Sequence, residues 1–468
     1  AKCWNATVHF EYDHSMTTAF PRLPALRRFL LTAVVASGLV GAGGCSKQPS
    51  ETLTLVYSND MIGEIRSCGC PADDFGGLGR RATFLEIVRD STKNFLLVDA
   101  GDFFNLKLSF GKVKADITMK SMALMDYHAV VIGEKDLGFG IDYIVQRSRE
   151  TGLPVLVANL YDAVGDTLFF PPSTVVTFPS GLTVGIIGVM GSDLRLPQQV
   201  EPGSVRIEEP LRTVRREVDR LKDGVDLIVV VAHAHLGTAR RIATEIPEVD
   251  VVVHGHEGKP MRKVQRVGEG FVLENAEKGL YMGVAFAVLD RDNRRIRRLS
   301  NQIIPMSNQY PDNEAVAKLF RAYGMSVAAK QKGQVPAAVF EAKGGLAFRF
   351  AGSGACRECH EAEYAVWEET THAHAFATLE AESREEDRDC IPCHTTGFYK
   401  RGGYERLSVT PDLVDVGCEA CHGNGHDHIL DPKAEGTLAV AAETCTGCHT
   451  EEQTPDFEFE TFWDRIRH

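Results

Sequence analysis

The chain has 468 residues, 44% hydrophobic and 25% charged, a composition that excludes a disordered chain and is sufficient for two or three domains with cores of their own. Its net charge of −13 is uneven: residues 351–468 hold nine Lys/Arg against 25 Asp/Glu, a balance of −16, so everything upstream sums to about +3. Such an acidic C-terminal region argues against nucleic acid as a partner and for a partner with a basic docking surface, met by electrostatic steering that salt weakens.

Residues 1–15 begin with Ala, lack signal character and precede Met16, so they read as a non-native upstream extension in which Cys3 has no role. Residues 16–45 read as a lipoprotein-type signal peptide: Arg22, Arg27 and Arg28 form a positive start, Phe29 to Val40 an apolar stretch, and Gly41-Ala42-Gly43-Gly44-Cys45 a small-residue end. Cys45 is then the expected lipidated residue and the link to a membrane. The apolar stretch is too short and glycine-rich to span one. The expected location is extracytoplasmic, in a periplasm or on a cell surface, as a membrane-anchored bacterial lipoprotein.

Residues 46–310 alternate short apolar runs with helical stretches. Leu53 to Tyr57, Phe95 to Asp99, Ala129 to Ile132, Val155 to Ala158, Val184 to Gly188, Leu227 to Val231 and Val249 to Val253 read as strands, and Leu211 to Lys222 as a helix. This is the pattern of an α/β domain with buried sheets flanked by helices. Several strands end in Asp, His or Gly: Asn59-Asp60, Gly101-Asp102, Gly133-Glu134-Lys135-Asp136, His233-Ala234-His235 and His254-Gly255-His256. Carboxylates and imidazoles offered from strand ends onto one sheet edge are how a hard or borderline metal is held.

Over about residues 52–305 this order resembles the calcineurin-like metallophosphatases, and within them the 5'-nucleotidase branch, which implies a sheet sandwich with a two-metal site. The family pattern is Asp-x-His, Gly-Asp, Gly-Asn-His, a His before Leu-Gly, and Gly-His-x-His. Asp60, Asp102, His235 before Leu236-Gly237, and His256 match it. Departures fall at Ile62, Glu134, Lys135 and Gly258, where the pattern has His, Asn, His and His. A two-metal phosphoesterase needs ligands for both ions. The losses therefore leave two expectations: a domain that hydrolyses nothing, or one divalent ion held by Asp60, Asp102, Glu134, His235 and His256. If the domain is a hydrolase, Asp60, Asp102, His235 and His256 are its catalytic candidates.

Cys68-Gly69-Cys70 lies on a Gly- and Pro-rich loop, with Arg80 and Arg81 following; the two thiols are a weak redox or metal signal. Residues 311–350 read as a helix, Asp312 to Lys330 with Ala315, Val316, Leu319, Phe320 and Tyr323 on one face, followed by a Gly- and Ala-rich linker.

Residues 351–468 contain four Cys-x-x-Cys-His motifs: Cys356/Cys359/His360, Cys390/Cys393/His394, Cys418/Cys421/His422 and Cys445/Cys448/His449. Two thiols for thioether bonds and an adjacent imidazole for the iron are the c-type haem attachment signature, so four covalent haems are expected. All ten Met residues lie at position 325 or earlier, which leaves His as the sixth ligand available from this region. His372, His374, His426, His428 and His468 are five candidates for four irons, and His372 and His374 cannot both face one haem from a short helix.

The run from Gly352-Ser353 through Cys359-His360, with Trp367, His372-Ala373-His374-Ala375, Cys393-His394-Thr395-Thr396-Gly397-Phe398 and Gly417-Cys418-Glu419 to His428, resembles the tetrahaem cytochrome c-554 family. The resemblance implies a mainly α, loop-rich domain of closely packed haems, most of them bis-histidine and one open to lacking its sixth ligand. His372 and His428 match its distal ligands. The function expected from the whole chain is electron transfer between extracytoplasmic partners, with the metallophosphatase-like domain used for docking or ligand binding. A metal-dependent phosphoesterase with an appended electron-transfer module, and a multihaem oxidoreductase acting on a small nitrogen compound, are the alternatives.

Overall fold

The computed structural model describes residues 51–67, 74–104, 111–290, 295–322, 349–381, 384, 385, 387, 390–433, 440–450, 454 and 456–468. The signal-like segment with Cys45 and the pair Cys68 and Cys70 lie outside the described residues.

Two sheets form the first part. One runs in the order β14 (Arg295–Pro305), β13 (Tyr281–Asp290), β1 (Glu51–Ser58), β2 (Phe95–Asp99), β3 (Ala129–Val130). The other runs β11 (Gln265–Val267), β12 (Gly270–Leu273), β10 (Val251–Gly255), β9 (Leu227–His233), β7 (Thr183–Met190), β6 (Ser173–Thr177). A small third sheet joins β5 (Thr167–Leu168), β4 (Leu160–Asp162) and β8 (Val205–Ile207).

Alternation along the strands builds the layers. Leu53, Leu55 and Tyr57 of β1, Leu96 and Val98 of β2, and Val229 and Val231 of β9 meet in a core between the sheets. The intervening Val56 and Leu97 face helices α1 (Leu78–Ser91) and α2 (Gly111–Leu124). Val230 and Ala232 face α4 (Pro210–Leu221) and α5 (Leu236–Glu245), while α3 (Ile141–Thr151) packs through Ile144 beside α2. Strands covered on both faces must be apolar throughout, which is why these runs show no polar alternation.

Two readings of the sequence change. Val155 to Ala158 is not a strand: Leu156 N–H bonds Val130 O at 2.9 Å and Ala158 N–H bonds Gly188 O at 2.8 Å, so this segment crosses from one sheet to the other. The long hairpin of β13 and β14, which closes the edge of the first sheet, is an addition to the strands expected from apolar runs. It is packed tightly. A Cβ added at Gly283 would lie 2.2 Å from Cζ of Tyr57, whose hydroxyl donates to Asn301 Oδ1 at 3.1 Å.

Beyond the sheets, residues 314–322 are helical, with Val316 and Phe320 buried on the first core and Ala315 exposed; positions 323–330 of the expected helix lie outside the described residues. The C-terminal region is a chain of short helices, among them Ser353–Arg357, Glu361–Glu368, Ala375–Ala381, Ile391–His394, Cys418–His422, His426–Leu430, Ala442–Thr446 and Phe459–Trp463. Its apolar core is small: Phe350, Phe376, Leu379, Ile391, Tyr404 and Leu413. Among the described residues no helix is long and apolar enough to cross a membrane.

Candidate metal and haem sites

Asp60, Asp102 and Glu134 follow β1, β2 and β3, and His233 and His256 stand at the ends of β9 and β10, so both sheets deliver polar groups to one edge. The backbone there is unusual. Asp60, Ile62, Asp102 and His256 have φ of 48°, 52°, 58° and 101°, left-handed conformations that each cost roughly 1–3 kcal/mol and persist only where the surroundings impose them. Asp136 is one such constraint. Fully buried, it accepts N–H bonds from Asp102 and Gly133 at 2.8 Å and from Phe104 at 2.9 Å, tying two ligand loops together. Gly133 allows the approach, since a Cβ there would lie 2.1 Å from Asp102 Oδ1.

Asp102, Glu134, His233 and His256 each offer a ligand atom, all within 4.8 Å of one another. His233 Nδ1 stands 2.7 Å from Ala100 O, which makes it the donor there and turns Nε2 toward Glu134 Oε2 at 3.0 Å and Asp102 Oδ2 at 3.5 Å. This is the orientation of a ligating imidazole held from behind. Burial opposes a charge on His233, but Asp102, Glu134 and Asp60 outweigh it and push the pKa up to about 10. A metal would replace that proton. His256 Nδ1 is buried without a well-formed hydrogen bond, 3.5 Å from Glu134 Oε2. The donor set of two carboxylates and two imidazoles therefore fits one divalent ion.

Two expected ligands are placed otherwise. Asp60 lies beside the cluster, but its Oδ2 accepts from His256 N and Asn59 Nδ2, both at 2.8 Å, so it positions His256. Burial is the main reason its pKa rises to about 6, with His233 opposing. His235 is outside the cluster. β9 ends at His233, whose side chain is fully buried, and two residues on His235 begins α5 about half exposed, 3.9 Å from Asp193. The strand end, rather than the following Leu-Gly, is the signal that picks out His233.

Lys135 occupies the remaining space. Its ammonium bridges Asp102 and, at 3.1 Å, Glu134, while its backbone N–H donates to Asp102 Oδ1 at 3.0 Å. Burial works against its charge, but these carboxylates hold its pKa above the ordinary lysine value. Ile62 donates its N–H to Asp102 O, and Gly258 has φ 63° with no room for a Cβ, which would lie 2.8 Å from that of Glu277.

In the C-terminal region each Cys-x-x-Cys-His segment turns as a helix, with His360 N–H bonded to Cys356 O and His449 N–H to Cys445 O, both at 2.9 Å. Helical spacing sets both sulfurs and the imidazole on neighbouring positions of one surface. Three of the four motif histidines face a second imidazole: His360 with His428 at 6.2 Å between ring centroids, His449 with His372 at 6.1 Å, and His422 with His468 at 5.8 Å. Two imidazoles sharing one metal through bonds of about 2 Å stand with centroids roughly 6 Å apart. The donor set thus fits haem iron at three motifs. At the fourth, His394 Nδ1 donates to Ala375 O at 2.7 Å, and no imidazole pairs with the ring among the described contacts. His374 and His426 enter none of these pairs; His426 instead lines a cavity with Arg349, Phe350 and Asp412.

The expected distal histidines His372 and His428 are held by their surroundings. Val416 bridges His372 O through its N–H at 3.0 Å and Trp367 Nε1 through its carbonyl at 2.9 Å. Burial, then the nearby His449, lowers the pKa of His372, favouring the neutral form that a metal needs. Glu419 is buried and accepts from Gly352 N and Gly425 N, both at 2.8 Å, so one carboxylate joins the approach to the first motif, the third motif and the turn before His428.

Comparison with known proteins agrees with two joined classes. Residues 355–423 match the family "Cytochrome c554 and c-prime". Cytochrome c-554 of Nitrosomonas europaea is 34% identical over 123 residues, covering 22% of this chain and 52% of that protein. The 5'-nucleotidase of Diplobatis ommata is 28% identical over 248 residues, covering 50% of this chain and 42% of that protein. The chain therefore spans about half the length of these relatives. Among solved structures, the 5'-nucleotidase precursor of Thermus thermophilus superposes with TM-score 0.51 at 24% identity, covering 60% of this chain and 59% of its own. The NAD nucleotidase of Haemophilus influenzae gives 0.50 at 17%, with 60% of each covered. The protein fuses a metallophosphatase-type fold to a cytochrome c-554-type region, and the second implies covalently bound haem.

Proposed function

We propose that the chain is an extracytoplasmic tetrahaem cytochrome that passes electrons between redox proteins, with Cys45 as its lipid anchor and the metallophosphatase-like part as a non-hydrolytic docking or ligand-binding scaffold. The observation that carries this reading is the set of three imidazole pairs at 5.8–6.2 Å, each joining a motif histidine to one distant in sequence. Haem c supplies reversible one-electron chemistry when bound. The chain's part is to attach it through eight cysteines, ligate it through His360, His394, His422 and His449, and complete three irons with His428, His468 and His372. Bis-imidazole ligation favours potentials below those of Met/His cytochromes. Denatured intact-mass measurement should show four haem additions, and fewer would sink the tetrahaem reading.

The metal cluster favours a second reading, a metal-dependent phosphoesterase carrying an electron-transfer module. One ion fits Asp102, Glu134, His233 and His256, while Lys135 takes up carboxylate that a second ion would need. Metal-dependent turnover of a phosphate ester by the full chain, abolished in Asp102→Ala, would establish that reading instead. The lack of a facing imidazole at His394 among the described contacts supports the third, a haem that takes a small nitrogen compound as ligand and substrate. Nitrite, nitric oxide or hydroxylamine failing to perturb the high-spin spectrum would remove it.

A further inference from the structure

The second haem-attachment motif is built against the metallophosphatase-like part. Cys390 N–H and Ile391 N–H bond the carbonyl of Asp387, at 2.9 and 3.0 Å, so Asp387 starts the turn that presents Cys390, Cys393 and His394. Its carboxylate lies 3.7 Å from Nζ of Lys114, on α2 of the first part, and both side chains are about nine-tenths buried. Arg384 reaches the same way, donating from Nη1 to Ser67 O at 3.1 Å. Arg66, whose guanidinium rests 5.0 Å from the Phe320 ring centre, has Arg384, Asp387, Cys390 and Asp312 as electrostatic neighbours.

Among the described residues, the cations Arg66, Lys114 and Arg384 thus lie with the carboxylates Asp387 and Asp312 near one attachment cysteine. Burial and then Arg384 lower the pKa of Arg66 from its ordinary value, the mark of a charge held where water screens it poorly. Reduction of a haem iron adds one electron, so a positive charge held nearby in a poorly screening surrounding stabilises the reduced form and a negative charge opposes it.

We propose that Arg66 and Lys114 set the potential of the haem held by Cys390, Cys393 and His394, raising it from across the junction between the two parts. The metallophosphatase-like part is then an electrostatic support for one haem, and for the one whose histidine faces no second imidazole among the described contacts. The inference rests on the haem reading above.

The test is spectroelectrochemical titration of the full-length holoprotein, following this haem through its high-spin signal. Arg66→Gln and Lys114→Gln should each lower its reduction equilibrium constant about tenfold, or about 59 mV for one electron. Arg66→Lys should restore it. Asp387→Asn should move the same haem the opposite way, a reversal that loosening of the junction would not produce. Unchanged potentials, or shifts of one sign in all three charge-removing variants, would overturn the inference while leaving four haem additions in place. A missing haem at this motif in the unmodified protein would overturn the underlying reading instead.

Discussion

Replacing Lys135 with Met tests whether its ammonium fills the place of a metal ion. The side chain is 37% exposed while that of Asp102 is fully buried, so the pair lies between a solvent-exposed one, worth about 0–1 kcal/mol, and a buried one, whose breakage costs about 3–5 kcal/mol. A loss of about 2 kcal/mol is expected without metal. In a region of this size that corresponds to a Tm lower by roughly 4–8 °C. The two carboxylates and two imidazoles would then stand with no cation among them, and an added divalent ion at a hundred times its Kd should return about 2.7 kcal/mol. In the unmodified protein the same ion must first displace the ammonium from Asp102 and Glu134. Its affinity should be weaker by that same 2 kcal/mol, roughly 30-fold. Calorimetric titration of both proteins with manganese or zinc, paired with thermal scans, measures both quantities. Equal affinities, or no binding to the variant, would refute the reasoning.

Other consequences are simpler. His468→Ala should convert one low-spin haem to high spin in the visible or electron paramagnetic resonance spectrum, as should His428→Ala, while His374→Ala should not. Burial chiefly raises Asp250 to a pKa of about 7, with the Ile228 N–H bond and Arg295 opposing. Because the folded chain then holds a proton that the unfolded chain releases near pH 4, stability is full below that pH. It falls as pH rises toward 7, by up to about 4 kcal/mol. Thermal scans should find Asp250→Asn much less sensitive than the parent between pH 5 and 8. Gly283→Val, forcing a side chain into the Tyr57 ring, should cost at least 1–3 kcal/mol by denaturant titration.

Much of this was legible because it is local. A Cys-x-x-Cys-His motif carries both thiols and the proximal imidazole in five residues, so haem attachment needs no knowledge of the fold. The layered α/β part was legible for a related reason: strands covered on both faces are uniformly apolar, as in Leu227 to Val231, and short. What periodicity misses is backbone whose hydrogen bonds are irregular. Val155 to Ala158 has the composition of a strand, yet its partners lie in two different sheets.

The metal cluster and the candidate distal ligands mark the limit more sharply. His233 and His235 are two residues apart and chemically identical, and the choice between them depends on where β9 stops, a position fixed by its pairing with β7 and β10. Matching the His that precedes Leu-Gly selects the one at the start of α5. His468 was obscured in a similar way: it stands outside the Cys-x-x-Cys-His motifs, and only folding of the Phe459–Trp463 helix and the turn after it sets the ring 5.8 Å from that of His422. Both cases follow from one physical fact. A metal needs ligands that converge in space, and a sequence displays that convergence only when one short turn supplies them all. Asp136 and Glu419 are the complementary case, carboxylates that touch no expected ligand atom of a metal or haem yet hold two or three separate segments by their backbone N–H groups. Their burial has to be seen before their role can be argued, because in the sequence each is one acidic residue among 64.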